Sequence, residues 1–137
     1  MQKKTNGGGM LVNDKKIEDV IEQFIKRFDG SQKVFLHGCC YWFAWILKER
    51  FYDMLRKNKY GCDIVYEPVE GHFLFAIYRA DEAEYQEYSY FDIRGNVTSM
   101  YNGNELYKRW HMKYSMPKYY ANLMRDCRDI IADVDED

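Results

Sequence analysis

The 137-residue sequence predicts an α+β domain: N-terminal helices, one carrying an adjacent cysteine pair, packed on a small antiparallel sheet, then helices again at the C-terminus. Three observations predict it. Apolar residues recur at helical spacing up to about residue 56, change to strand-like runs between residues 62 and 94, and return to helical spacing beyond a Gly95-Asn96 turn. The strand-like runs follow one another without intervening helices, which is the signature of an antiparallel sheet with segregated helices rather than of a parallel βαβ chain.

Each element has its own signal. Ile17, Val20, Ile21, Phe24, Ile25 and Phe28 make one apolar stripe, with Asn13 or Asp14 as N-cap and Asp29-Gly30 as the stop. "SQKVFLHG" connects to a second helix running from about Cys39 to Arg56. On that helix Cys40, Phe43, Ala44, Leu47, Phe51, Met54 and Leu55 share the inner face, while Lys48, Glu49, Arg50 and Lys57 form the solvated side. "KNKYG" ends it, and "CDIVYEP" reads as a strand closed by Pro68. "HFLFAIYRA" and "EYQEYSYFDIR" read as a hairpin whose charged tip is Asp81-Glu82-Ala83. The tyrosines at 85, 88 and 90 express strand propensity. Beyond the turn, "NELYKRWHM" and "PKYYANLMRDCRDIIADV" are expected to be helical. The second of these is started by Ser115 and Pro117 and carries Tyr120, Leu123, Cys127, Ile130, Ile131 and Val134 on one side. Residues 1–12 read as a flexible leader, 13–134 as a single catalytic-type domain and 135–137 as an acidic end.

Composition narrows the function. A net charge of −2, with basic residues scattered among acidic ones, argues against nucleic acid and against an anionic membrane surface as partners. No apolar run approaches the roughly 18–20 residues of a membrane span. The start "MQKKTNGGGM" lacks an apolar signal core, so a cytoplasmic location with reduced thiols is expected. Cys39, Cys40, Cys62 and Cys127 then read as free thiols. The "GGG" near residue 8 lacks the flanking strand and Lys-Ser/Thr pair of a phosphate loop.

The chemistry-bearing residues are Cys40, His72 and Asp92. Cys40 follows closely on Gly38 and opens an apolar helix. The partial positive charge and unpaired N–H groups of a helix start favour a thiolate, and the same N–H groups can hold an oxyanion. In a hairpin centred on Glu82, His72 faces Asp92 directly, with Cβ atoms about 5 Å apart. A carboxylate on one imidazole nitrogen fixes the tautomer and leaves the other nitrogen for a thiol. Each residue also has a plain reading: a cysteine that packs, a histidine at a sheet end, an aspartate that caps a turn. The conjunction of all three favours catalysis.

Other uses of these side chains are weaker. Cys39, Cys40, Cys62 and His72 lack the Cys-x2-4-Cys spacing of zinc knuckles, so no metal site is expected. His37 lies near Cys40 as a rival base but has no evident carboxylate to orient it. His111 reads as a surface helix residue. Trp42 and Trp110 read as core or rim aromatics, and Tyr41 and Trp42 also as walls of a substrate cleft. Helical geometry turns Cys39 about 100° away from Cys40, as a bystander lining a neighbouring wall at most.

"GCCYWFA", through Gly38, Cys40, Phe43 and Ala44, resembles the cysteine-helix motif of the papain-like and transglutaminase-like superfamily. "GHFLFAI" is similar to its His-led strand and "YFDIRG" to the strand carrying its third residue, over roughly residues 36 to 95. The chain also resembles small uncharacterised bacterial and phage proteins with a GxCYWFA…HF…DIxG pattern. The resemblance implies a papain-like or transglutaminase-like fold and a thiol hydrolase or acyltransferase acting on an amide, isopeptide or ester. Cys40 would be the nucleophile, His72 the proton shuttle and Asp92 its orienting group, with a peptide or protein as substrate and no metal or organic cofactor. Papain-type peptidases place a Gln before the Cys to complete the oxyanion hole. Here the nearest is Gln32, eight residues before Cys40. Asp92 is nearer to the transglutaminase pattern than to the Asn of papain. The alternative is a non-enzymatic phage or prophage accessory protein that binds a host protein, with Cys40 as core packing and the His–Asp pair structural.

Overall fold

Side-chain alternation sorts each strand onto two faces, and the helices cover the more apolar one. The computed structural model describes residues 8–28, 30, 35–36, 39–80 and 87–136, with side chains for these except 8–14 and 127–136. It opens with α1 (Gly8–Ile25), a 3-10 turn (Lys26–Phe28) and α2 (Cys40–Lys57). Strands β1 (Tyr60–Glu67), β2 (His72–Arg79), β3 (Tyr88–Asp92) and β4 (Gly95–Asn96) follow. The chain closes with α3 (Thr98–Tyr101), β5 (Tyr107–Lys108), α4 (Arg109–Ser115) and α5 (Pro117–Glu136). The strands form one antiparallel sheet in the order β4-β3-β2-β1-β5. The fold is α+β, with the Cys40 helix lying on the sheet.

The register of β1 with β2 pairs Tyr66 with Phe73, Ile64 with Phe75 and Cys62 with Ile77, and β3 adds Phe91 opposite Phe75. These side chains form one face, and they bury against Cys40, Phe43, Ala44, Leu47, Phe51 and Leu55 of α2. Ile17, Ile21 and Ile25 of α1 and Met112 of α4 complete this core. The opposite face carries Val65, Leu74 and Ala76, covered by Val97 and Tyr101 around α3. Farther along that face the ammonium of Lys108 sits 5.7 Å from the Tyr78 ring centroid and 5.5 Å from that of Tyr88. There the end of the Tyr78 ring lies against Gly61, where a Cβ would displace it. Among the described residues, no helix is long and apolar enough to cross a membrane.

Several expectations shift. The first helix begins at Gly8, ahead of Asn13 and Asp14, so residues 8–12 of the expected leader are helical. Its buried line is Ile17, Ile21 and Ile25, while Val20 is 41% exposed beside Phe24 in a groove with α2. The i+4 row faces the sheet, and Val20 lies one residue off it. "NELYKRWHM" is not one helix: Tyr107 and Lys108 pair with Tyr66 and Val65 as an edge strand before α4 begins. Two residues carry too little periodicity to declare a strand. Helix α5 continues through Glu136, into the expected acidic end. Tyr120 and Leu123 pack on the core as expected, joined by Met124. The stripe from Cys127 onward, the hairpin tip at 81–83 and Tyr85 fall outside the described side chains.

Phe75 is fully buried at the centre of the helix-covered face. Phe75→Ala is expected to lower the unfolding free energy by about 3–5 kcal/mol, seen as a reduced urea midpoint at unchanged slope. A loss below about 1 kcal/mol would place the core elsewhere.

Candidate active site

Two tight turns deliver His72 and Asp92 to the same end of the sheet. Glu67, the last residue of β1, is 2% exposed, and its carboxylate accepts bonds from Val69 N at 2.9 Å and Glu70 N at 2.7 Å. Gly71 N closes the turn on Glu67 O at 2.9 Å, with Gly71 at φ +70°, a left-handed value that favours glycine. The next residue is His72, which begins β2 opposite Glu67. Asp92 ends β3. Its Oδ1 accepts Arg94 N at 2.8 Å, shaping the turn into Gly95 at φ +103°.

His72 Nε2 and Asp92 Oδ2 are 2.8 Å apart, and both residues are buried. The sequence places these residues directly opposite each other. The observed register is displaced by two: Phe75 faces Phe91, so Leu74 lies level with Asp92 and His72 meets it diagonally. A two-residue displacement keeps both side chains on one face, and diagonal neighbours remain within reach of long side chains. The pair therefore survives the change of register.

Cys40 comes from the other face. It is the first residue of α2 and is 8% exposed, and its Sγ accepts a bond from Phe73 N at 3.4 Å. The thiol lies near enough to the His72 imidazole to raise the proton affinity of that ring. With Nε2 held by Asp92, Nδ1 is the ring nitrogen left to the thiol. This crossing between faces is possible because His72 is the first residue of its strand, level with the start of α2. Cys39 is the N-cap residue of α2, and its side chain makes no capping bond to the N–H donors of the first turn.

The charges reinforce one another. Burial pushes the His72 imidazole toward neutrality, but the hydrogen bonds and charges of Asp92 and Cys40 outweigh it and raise the group to about 9. Burial likewise pushes the Asp92 carboxyl up, yet hydrogen bonds from His72 and Arg94 hold it below the usual carboxylate range. Burial, with Cys40 alongside, pushes the Cys39 thiol up.

Cys39 is 1% exposed, so it packs inside rather than lining a cleft. Tyr41 is buried as well, its ring edge-on to Phe73 and its hydroxyl accepting Arg109 Nη1 at 2.9 Å. Trp42 is half-buried against Tyr41. Gln32, His37 and Gly38 lie outside the described residues. His111 and Trp110 are exposed on α4. Among the described residues, no three His, Cys, Asp or Glu side chains gather as metal ligands. No family model, curated protein or solved structure matches the chain.

The sequence reading missed what stands behind Asp92. Arg94 Nε lies 3.2 Å from Oδ1 and 3.1 Å from Oδ2, and Nη2 reaches Oδ2 at 2.5 Å. Nη2 also donates to Tyr101 Oη at 3.1 Å, and Tyr101 in turn donates to Glu70 Oε1 at 2.7 Å. The Tyr101 ring stacks on the His72 ring with centroids 6.0 Å apart and planes at 25°. Arg94 had a signal in "DIRG", two residues beyond Asp92 in a turn. Tyr101 had none, because it arrives through α3.

These shifts set a pH dependence. The proton affinity of His72 is raised on folding, so its contribution to stability is full below the ordinary imidazole value of about 6.5 and is lost as pH rises through about 9. Unfolding free energy should therefore decline across that window in the wild type and decline less in His72→Gln, measured by urea titration at several pH values. A His72→Gln profile parallel to the wild type would show that the imidazole titrates alike in both states.

Proposed function

We propose that the chain is a thiol hydrolase or acyltransferase of papain-like or transglutaminase-like type, acting on an amide, isopeptide or ester through Cys40, His72 and Asp92. The observation that carries this reading is the gathering of three groups at one end of the sheet: the Cys40 thiol at a helix N-terminus, bound by Phe73 N, and the His72 imidazole beside it, 2.8 Å from the Asp92 carboxylate. A buried histidine bound by a carboxylate on one ring nitrogen is held in the orientation and tautomer that a base for a neighbouring thiol requires.

In this scheme His72 takes the Cys40 proton and Sγ attacks the substrate carbonyl carbon. The carbonyl π electrons move onto oxygen, where the Cys40 N–H and its first-turn neighbours donate. Collapse of the tetrahedral intermediate breaks the bond to the leaving nitrogen or oxygen, which receives the proton from His72. The product is a thioester on Cys40. Water, or an amine in the transferase variant, then attacks that carbonyl while His72 removes its proton, and the thiol is regenerated. Asp92 keeps its proton off throughout: it holds Nε2–H and stabilises the imidazolium. Phe73 N–H adds a donor to the sulfur while its charge builds.

Alkylation and acylation test this directly. At neutral pH iodoacetamide should modify Cys40 at least about tenfold faster than Cys39 or Cys62, and His72→Ala should remove most of that advantage. p-Nitrophenyl acetate should leave one acetyl group on Cys40, seen by intact mass and peptide mapping, and none in Cys40→Ser. A Cys40 no faster than Cys62, or indifferent to His72, would refute the catalytic assignment.

A further inference from the structure

We propose that Arg94, itself fixed by Tyr101, is a positioning residue of this site, holding the Asp92 carboxylate in the orientation and charge state in which Oδ2 meets His72 Nε2. The inference rests on the Cys40–His72–Asp92 reading and extends it to a chain of contacts ending at Glu70.

The geometry is specific. Asp92 is 4% exposed, and a carboxylate at that depth is costly unless its lone pairs are occupied. Oδ1 takes the Arg94 backbone N–H and Nε, and Oδ2 takes Nε2 of His72 together with Arg94 Nε and Nη2. The planar guanidinium thus locks the carboxylate plane, which a lysine ammonium does not do. Among the described residues Asp92 is the only carboxylate paired with Arg94, whose side chain is 31% exposed. The cation therefore reaches the buried charge from the sheet end.

Tyr101 is fully buried, with one face on the His72 ring. Its hydroxyl accepts from Arg94 and donates to Glu70, so a single phenol orients both the imidazole and the guanidinium. Glu70 sits in the turn that places His72, and its backbone N–H is bound by Glu67. The turn before the histidine and the turn after the aspartate are joined through Tyr101. A purely structural Arg94 would stabilise the fold without touching the ionisation of the site.

That difference is measurable as the pH profile of Cys40 alkylation by iodoacetamide. Without Arg94 the Asp92 carboxyl loses its main compensating charge and protonates more readily, releasing His72 at higher pH. Arg94→Met should therefore move the acid-side inflection upward by about one pH unit or more and slow the reaction at neutral pH by about fivefold or more. Arg94→Lys should restore the inflection, because the charge returns, but not the full rate, because the fork does not. Tyr101→Phe keeps the ring on His72 and removes only the hydroxyl, and should slow alkylation by about threefold or more.

An Arg94→Met protein with a wild-type profile overturns the inference. Should Arg94→Met fail to fold, an unchanged rate in Tyr101→Phe overturns it instead. A wild-type chain in which Cys40 shows no selective, His72-dependent reactivity overturns the catalytic reading itself, and the two failures are therefore distinguishable.

Discussion

The bond between His72 and Asp92 is the constraint that organises this molecule. Both partners are buried, and either one left alone would carry an uncompensated charge or an unmet hydrogen bond in a low-dielectric environment. Their pairing forces β2 to begin and β3 to end at the same margin of the sheet. The surrounding structure serves that margin: Glu67 caps one turn with its carboxylate, Asp92 caps the other with its own, and Arg94 supplies the countercharge. Acidic and basic groups that look scattered along the chain converge on one end of the fold.

The sheet separates Cys40 from His72 and then lets them meet. Helix α2 is fixed to one face by Phe43, Ala44, Leu47 and Phe51, which are apolar and nearly inaccessible. His72 and Asp92 project from the other face, where Tyr101 closes over the imidazole. Cys40 touches both environments only because it is the first helical residue and His72 the first of its strand. Moving Cys40 a turn into the helix would put it at the place of Ala44, inside the core, as one more buried thiol. Cys39 shows this fate one residue away, enclosed and with its thiol pushed up by burial.

Much of this was legible in the chain, for physical reasons that also mark where legibility stops. The α2 face was readable because long apolar periodicity admits one solution. The His72–Asp92 contact was readable because strand parity tolerates an even error: the register differs by two residues, the faces are unchanged, and the pair still forms. An error of one would have parted them. Val20 was misplaced because an i+3 neighbour can lie at the rim of a helical stripe as easily as within it. Strand β5 is two residues long and held by pairing with β1, so nothing local declares it. Tyr101 and Glu70 are far apart in sequence and meet only through tertiary structure, which also hid the support behind Asp92.

The central claim is that His72 is coupled to Cys40 and Asp92 at once, and the titration of its ring nitrogens by 15N NMR tests it most directly. The coupling predicts a His72 transition well above the ordinary imidazole value, toward about 9, with Nε2 keeping its proton in the neutral form. It also predicts that Cys40→Ala lowers that transition. A His72 that titrates near the ordinary imidazole value of about 6.5 and ignores the loss of Cys40 would contradict the account.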